Sequence, residues 1–451
     1  MQASRFKIAL SVVVLVIGLA VTVLAVSSAS FTATSGILID FGEYDVIYTG
    51  VDTDDDPDPV GALEYACDRN GLELVMEGGR VVSIGSVSNG SGSEWSLFVV
   101  ERGQREWTRV TGDPSDIEVD DYSAVCWGYR PQGGVPTCAV DDTGVCFYGY
   151  PVPERVVAIS PSVTETVCAV GGLDRIVGTD MYSNYPSAVA EGHEDGSIAV
   201  VGGFTNPSYE MVLKQDPDLV VCTGSQNAHV QMAEKLRSVG VDVLVTNGGE
   251  AISTVMDNTY MVGVALGLGG AAVELIGTTE SQIGDVEDVL RSYADVWDKP
   301  VMLSLSAVKS PWVSGSNKYI SDIMTHVRAH NVYSGESGWV QVNAETVLRN
   351  DPHYIVVVTN DYEATQSDYD AMIASMSSEW RGTTAYKQGN IYLLVGDACD
   401  LASRPGPRVA QMAELMARMV HGGAFDDGID VPKFIGDGYR DYLTFTKEGS
   451  V

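Results

Sequence analysis

The chain has 451 residues, 45% hydrophobic and 20% charged, the composition of a globular protein. Its length allows about two to four domains, each with its own core. It carries 61 acidic against 27 basic side chains, a net charge of −34. That excludes nucleic acid as a partner, because phosphate contacts need Lys and Arg. It fits a solvated acidic surface in a saline or extracellular setting.

Residues 8–26, IALSVVVLVIGLAVTVLAV, form an uncharged run of 19. Arg5 and Lys7 precede it, which sends the rest of the chain outward by the positive-inside rule. Residues 1–29 therefore read as an uncleaved membrane anchor or as a signal segment cleaved near Ser27–Ser30. No Cys follows the run, so a lipid anchor is not indicated.

Residues 30–150 read as a small α+β domain. Strands are expected at 37–41, 45–48, 72–77, 80–84, 95–101 and 123–129, bounded by Gly, Asn and Pro. A helix over 60–70 puts Ala62, Leu63 and Ala66 on one face. Asn89-Gly-Ser91 is a glycosylation sequon in a Gly/Ser loop. Cys67, Cys126, Cys138 and Cys146 all precede residue 150 and allow three disulfide connectivities. Cys138 and Cys146 look like a hairpin closed by its own bridge, leaving Cys67 with Cys126. A zinc site is the rival reading, but no CxxC pair is present and no metal is expected. Cys168 and Cys222 fall in apolar segments and read as core thiols, whereas Cys399 sits in a loop-like stretch. Residues 147–154 carry two prolines and read as a fairly stiff linker.

From Arg155 apolar strands alternate with helices, which indicates parallel sheets covered on both faces. The fold class is α/β: two Rossmann-like lobes within 154–424, joined by a single long helix. Lobe one (154–270) has strands at 156–160, 176–179, 219–222 and 241–246. Its helices are expected at 163–170, 227–239 and 252–268. Before the strand at 219, Ser208 caps a short helix with Glu210 in its first turn and Asp216-Pro217 at its end. The linker helix covers 271–297, a stiff connection that predicts little closure on binding. Lobe two (299–424) has strands at 300–305, 354–359 and 390–394, with helices at 317–329, 344–350 and 408–421. The tail 425–451 shows no clear periodicity.

One stretch occurs twice. Glu210-Met-Val-Leu-Lys-Gln-Asp-Pro217 returns as Glu345-Thr-Val-Leu-Arg-Asn-Asp-Pro352, and each copy leads into an apolar strand. Two related lobes with glutamates in equivalent places follow. His326 and His330, in HVRAH, are four apart and read as one solvated helix face, without the glutamate of a zinc protease motif. Gly267–Ala272 mimics part of a dinucleotide loop but follows a helical pattern. No GxSxG, P-loop or convincing triad is present, so no catalytic residue is assigned and an enzyme is the distant alternative, beside a surface scaffold.

Five stretches carry a family resemblance: 155–186, VGGFTNPSYEMVLKQDPDLVV at 201–221, WVSG at 312–315, GWVQVNAETVLRNDPHYIVV at 338–357 and GNIYLLVGD at 389–397. Through them residues 155–424 resemble the extracellular substrate-binding proteins of ABC importers for cobalamin, haem and iron-siderophores. The resemblance implies that Glu210 and Glu345 dock on arginines of a membrane permease, which works with its ATPase. The rival explanation is that each glutamate only favours its helix N-terminus, by about 0.3–1 kcal/mol. It implies ligand contacts at Tyr182, Trp312, Trp339 and the loop from Asp397 through Arg404 to Arg408. Aromatic rings there suit a corrin or another flat ligand by apolar contact, and the two arginines suit phosphate or carboxylate groups. The cargo is then a cobalamin or other corrinoid, with an iron-siderophore or haem as the alternative; no resident cofactor is implied. GILIDFG (36–42), LEYAC (63–67), VVSIGS (81–86), WSLFVV (95–100) and AVCWGY (124–129) resemble the C-terminal domain of transcobalamin and intrinsic factor, a β-grasp-like module. Its plain alternative is a spacer or surface-presentation role.

Overall fold

The computed structural model describes residues 30–32, 36–42, 46–50, 58–90, 92–101, 107–131, 134–136, 139–147, 152–293, 297–305 and 311–447. The expected anchor or signal at 8–26 lies outside them, as do Cys138 and Ser91 of the sequon. Among the described residues no helix is long and apolar enough to cross a membrane. By contact the chain forms two compact units. One runs to Asn247 and adds Tyr260–Val273; the other is Gly248–Thr259 with Glu274 onward.

The first unit opens with β1 (Ser30–Thr32), β2 (Gly36–Asp40), β3 (Val46–Gly50) and α1 (Pro59–Arg69). Asp58 caps α1 by accepting from the Val60 and Gly61 amides at 2.9 and 2.8 Å, with Pro59 in the first turn. A three-stranded meander follows: β4 (Leu74–Glu77), β5 (Arg80–Ile84) and β6 (Val87–Ser88). Next come β7 (Ser93–Glu101), β8 (Thr108–Arg109), β9 (Tyr122–Pro131) and the hairpin of β10 (Ala139–Val140) with β11 (Val145–Phe147). The main sheet has the order β3-β2-β9-β7-β8, with β2 and β9 parallel at its centre.

Alternation along β2 and β9 splits the side chains between two faces. Ile37, Ile39, Val125 and Trp127 meet Ala62, Leu63, Ala66 and Cys67 of α1. Leu38, Ala124 and Cys126 meet Phe98 and Val100 on the other face. The expected Cys67–Cys126 bridge is therefore corrected: the two thiols lie on opposite faces of the sheet and are not joined. Burial pushes the Cys67 thiol up to about 11. The partner bridge would involve Cys138, outside the described residues; Cys146 pairs through its backbone with Val140 in the hairpin.

The same unit then builds a parallel sheet from β12 (Val156–Ala158), β13 (Ile176–Thr179), β14 (Ala199–Val200), β17 (Leu219–Thr223) and β18 (Asp242–Thr246). A two-residue hairpin, β15 (Gly202–Gly203) with β16 (Asn206–Pro207), precedes β17. The sheet order is β14-β13-β12-β17-β18. Its helices are α2 (Pro161–Ala169), α3 (Ser187–Asp195), α4 (Tyr209–Lys214) and α5 (Asn227–Arg237). Val157, Val212, Val220, Leu236 and Val243 form the core beside it, all fully buried. Cys168 and Cys222 are buried thiols, as their apolar segments led one to expect.

Helices α6 (Ile252–Ala265) and α7 (Gly269–Ser292) each place residues in both units. The chain thus passes between the units after Asn247, Thr259 and Val273, where one joining helix was expected. Apolar periodicity shows that a segment is helical, but not which core its faces join. Here Ile252, Val255 and Met256 join the second unit's core.

The second unit contains β19 (Lys299–Leu305), β20 (Trp312–Ser314), α8 (Tyr319–His326), β21 (Ala329–Asn331), β22 (Trp339–Gln341), α9 (Ala344–Asn350) and β23 (Tyr354–Val358). It continues with α10 (Gln366–Ser375), α11 (Ser378–Gly382), α12 (Thr384–Gln388), β24 (Ile391–Leu394), α13 (Gly396–Ser403), α14 (Val409–His421) and β25 (Phe434–Ile435). The sheet order is β22-β20-β19-β23-β24-β25, with β21 beside β19; only β20 and β22 run antiparallel to their neighbours. The helix expected over 317–329 stops at His326, and Arg328 turns the chain with φ 56° into β21. His326 and His330 therefore share no helix face. His326 Nδ1 lies 2.6 Å from Glu287 Oε1, and His330 is an exposed strand residue.

The tail is not featureless. It adds β25 to the sheet and buries Tyr439 and Leu443 in the core. An ion cluster built on the buried Arg418–Glu414 pair holds it. Arg418 Nε donates to Glu414 Oε1 at 2.8 Å, and Arg418 Nη2 donates to Asp427 Oδ2 at 2.7 Å. Glu414 also accepts from the amides of Thr444, Phe445 and Thr446 at 2.7, 3.1 and 3.0 Å. A carboxylate so furnished is stable in the interior, where an unpaired one is costly.

The Arg418 hydrogen bond holds the Asp427 carboxyl well below the usual carboxylate range. Its contribution is therefore fully present above the unfolded value of about 3.9 and is lost as pH falls toward the lowered folded value. Asp427→Asn is expected to cost about 1–3 kcal/mol at pH 7. In urea titrations its stability falls less steeply than the wild type's between about pH 4 and pH 2.

Candidate functional site

Parallel α/β sheets present ligand-contacting loops at the carboxyl ends of their strands. In the first unit the loop after β13 is braced by Asp180, which is fully buried. Asp180 Oδ2 accepts from the Ser160 amide at 2.9 Å and from Ser183 Oγ at 2.7 Å. Its Oδ1 accepts from the Tyr182 amide at 2.9 Å. Ser183 Oγ is in turn 2.8 Å from Thr164 Oγ1 on α2. The Met181 amide donates to the Gly202 carbonyl at 2.9 Å. With its backbone fixed in this way, the loop turns Met181 and Tyr182 outward, each 57% exposed. Such preorganisation lowers the ordering cost of binding.

In the second unit Trp312 and Trp339 lie on adjacent antiparallel strands. Trp312 pairs with Gln341 and Ser314 with Trp339, so both indoles share one face while Val313 and Val340 take the other. Trp339 packs partly against the core, whereas Trp312 stands 46% exposed. Around α13 the charges are balanced. Arg404 Nη2 lies 2.9 Å from Asp400 Oδ2, with both side chains nearly buried. Arg408 is 3% exposed. Burial raises the Asp397 carboxyl, and Arg408 opposes that rise. The Asp397 amide donates to Asp437 Oδ1 at 3.0 Å. The structure thus gathers Asp397, Arg404 and Arg408 into one partly buried cluster and leaves Trp312 out in solvent. Tyr182 belongs to the other unit.

Sequence reasoning missed Tyr362, in the loop after β23. Its ring is 51% exposed, while its hydroxyl donates to Asp400 Oδ1 at 2.9 Å and lies 3.4 Å from Arg404 Nη2. Burial of the hydroxyl and the Asp400 charge push the phenol up to about 12. The available signal was its position, a tyrosine just past the carboxyl end of an apolar strand. Tyr362 thus offers an aromatic face whose polar end is already satisfied.

Each copy of the repeat has the same build within its own unit. Ser208 Oγ accepts from the Met211 amide at 3.3 Å, and Asn343 Oδ1 accepts from the Thr346 amide at 2.9 Å. Glu210 and Glu345 follow as exposed second residues of α4 and α9. Val212 and Val347 anchor the two helices in their cores. Asp216 and Asp351 take positive φ, 48° and 40°, before the prolines. The strands that follow, β17 and β23, each pair in parallel with the first strand of their sheet and with the next one. Met211 and Leu348 are exposed beside the glutamates.

Residues 156–398 match the periplasmic binding protein family, a match that starts at β12 and takes in the first parallel sheet and every strand of the second unit's sheet except β25. The chain belongs to that family. This periplasmic binding protein is 25% identical over 276 residues to YvrC, an uncharacterised ABC transporter substrate-binding lipoprotein of Bacillus subtilis strain 168, covering 61% of this chain and 82% of the relative. It is 26% identical over 275 residues to a cobalamin-binding protein of Halobacterium salinarum, covering 60% and 70%. Among solved structures it resembles a periplasmic haem-binding protein from Pseudomonas aeruginosa, with a TM-score of 0.53 and 22% identity over 61% of this chain and 95% of that one. That last likeness concerns the fold. These relatives are named as binding proteins, in keeping with the family to which this chain belongs.

The two tryptophans should separate in a stability measurement. Trp312→Ala is expected to change the unfolding free energy by less than about 0.5 kcal/mol, and Trp339→Ala to lower it by about 1–3 kcal/mol, measured by urea denaturation.

Proposed function

We propose that this periplasmic binding protein is the extracellular substrate-binding component of an ABC importer, which captures a cobalamin or other corrinoid and delivers it to a membrane permease and its ATPase. The observation that carries this reading is the likeness, over 275 residues, to a cobalamin-binding protein. The site chemistry supports it. Tyr182, Trp312 and Tyr362 offer exposed aromatic surface on braced loops or strands. Arg404 is already held by Asp400, and Arg408 is buried beside Asp397, so neither is an open receptor for a highly charged iron chelate. An iron-siderophore or haem cargo, carried by a protein of the same family, is the alternative. In this reading residues 8–26 hold the protein at the cell surface or direct its export. The region 30–150 is then the transcobalamin C-terminal-like domain. Glu210 and Glu345, at matching places in two matching helices, dock on the permease.

Calorimetry of the chain from residue 30 onward should show saturable one-to-one binding of cyanocobalamin. Failure to bind cobalamin, cobinamide, haem and ferric siderophores alike overturns the transport reading. The double charge reversal Glu210→Lys with Glu345→Lys is expected to leave the affinity intact and abolish uptake. A loss of affinity instead would show that the docking assignment is wrong.

A further inference from the structure

Strand β18 is the outer strand of the first unit's parallel sheet, so its outward backbone groups need partners. The hairpin of β10 and β11 supplies them. The Val245 amide donates to Asp141 Oδ2 at 2.9 Å, and the Val245 carbonyl accepts from the Asp142 amide at 2.9 Å. Two residues earlier, Arg237 Nε donates to the Val243 carbonyl at 3.2 Å. The same guanidinium reaches Asp141 Oδ2 at 2.7 Å and Thr143 Oγ1 at 2.8 Å.

Asp141 is the centre of this contact. Its side chain is fully buried. It accepts from the Thr143 amide, Thr143 Oγ1 and the Val145 amide at 2.8, 2.8 and 2.9 Å within its own turn. The remaining two donors, Val245 and Arg237, belong to the parallel-sheet part of the unit. A carboxylate buried in this way is satisfied only while both sides are together; apart, it would lose two donors and Arg237 its carboxylate partner. Gly224, directly after β17, lies against the Asp142 side chain, whose carboxylate would have to move aside for a Cβ there. A third tie joins Tyr260 Oη on α6 to the Pro136 carbonyl at 3.4 Å.

We propose that this hairpin is the closing edge of the first parallel sheet, and that residues 30–147 are docked through it as a fixed part of the binding unit. The module is then an intramolecular partner of β18, not a spacer on a linker. This inference does not depend on which ligand the protein carries.

The test uses the full chain with a site-specific protease sequence inserted at residues 148–151. After cleavage the two pieces are expected to stay together in size-exclusion chromatography at micromolar concentration. In the uncut chain, Asp141→Ala is expected to speed hydrogen exchange of the Val245 amide at least tenfold, while α8 and α14 keep wild-type rates. Arg237→Gln removes one donor on the sheet side and leaves the hairpin turn intact. It is expected to accelerate the same amide, and it serves where Asp141→Ala fails to fold. Separation of the wild-type pieces on cleavage overturns the proposal. Unchanged exchange at Val245 in the folded variants also overturns it.

Discussion

The parallel strands at the centre of both α/β sheets have side chains buried on both faces, and that burial governs the rest of the structure. Every residue of β17 is buried, and β23 is buried from Ile355 to Val358. Such strands leave no polar side chain for recognition, so chemistry moves to the loops at their ends. Those loops must then be made rigid locally. The Asp180 brace, the Asp400–Arg404–Tyr362 contacts and the capped helices of the repeat are three answers to that requirement.

A second pattern concerns charge. The chain has 27 basic residues against 61 acidic ones, yet Arg130, Arg408 and Arg418 are nearly buried. Arg130 pairs with the buried Asp40, Arg418 with the buried Glu414, and Arg237 with the buried Asp141. Scarce guanidinium groups are thus used where a carboxylate has been taken out of water. The surface is left correspondingly acidic. An acidic surface needs no specific partner to remain soluble in salt. The exposed glutamates of the repeat differ from that background by position, not by charge.

Much of this was legible in the sequence because it is local. The repeat predicted a helix capped by Ser208 and its counterpart at 344–350, each feeding an apolar strand; Ser208, Asp216 and Asp351 realise that geometry, and the Asn343 cap was not foreseen. What escaped depends on pairing between distant segments. Cys67 and Cys126 looked available to each other until β2 and β9 placed them on opposite faces. β20 and β22 have three residues each, too short for a periodic signal, so the shared face of Trp312 and Trp339 was invisible. Asp141 and Glu414 carried no signal, because the Val245 amide that Asp141 accepts from and the Thr444–Thr446 amides that Glu414 accepts from stand 104 and 30–32 positions away. Tyr362 gained interest only when Asp400 was placed against its hydroxyl.

The separation of Asp141 from Val245 also bears on how the chain is made. A chain synthesised from its N-terminus produces the hairpin 104 residues before the strand whose edge it meets. N-terminal segments generally fold first during synthesis. By the time β18 emerges, the acceptor for its Val245 amide, Asp141, and the donor for its carbonyl, the Asp142 amide, have already been synthesised. The edge strand of the first sheet thus meets partners that were made before it, and in the folded chain its Val245 backbone groups are not left open to another strand.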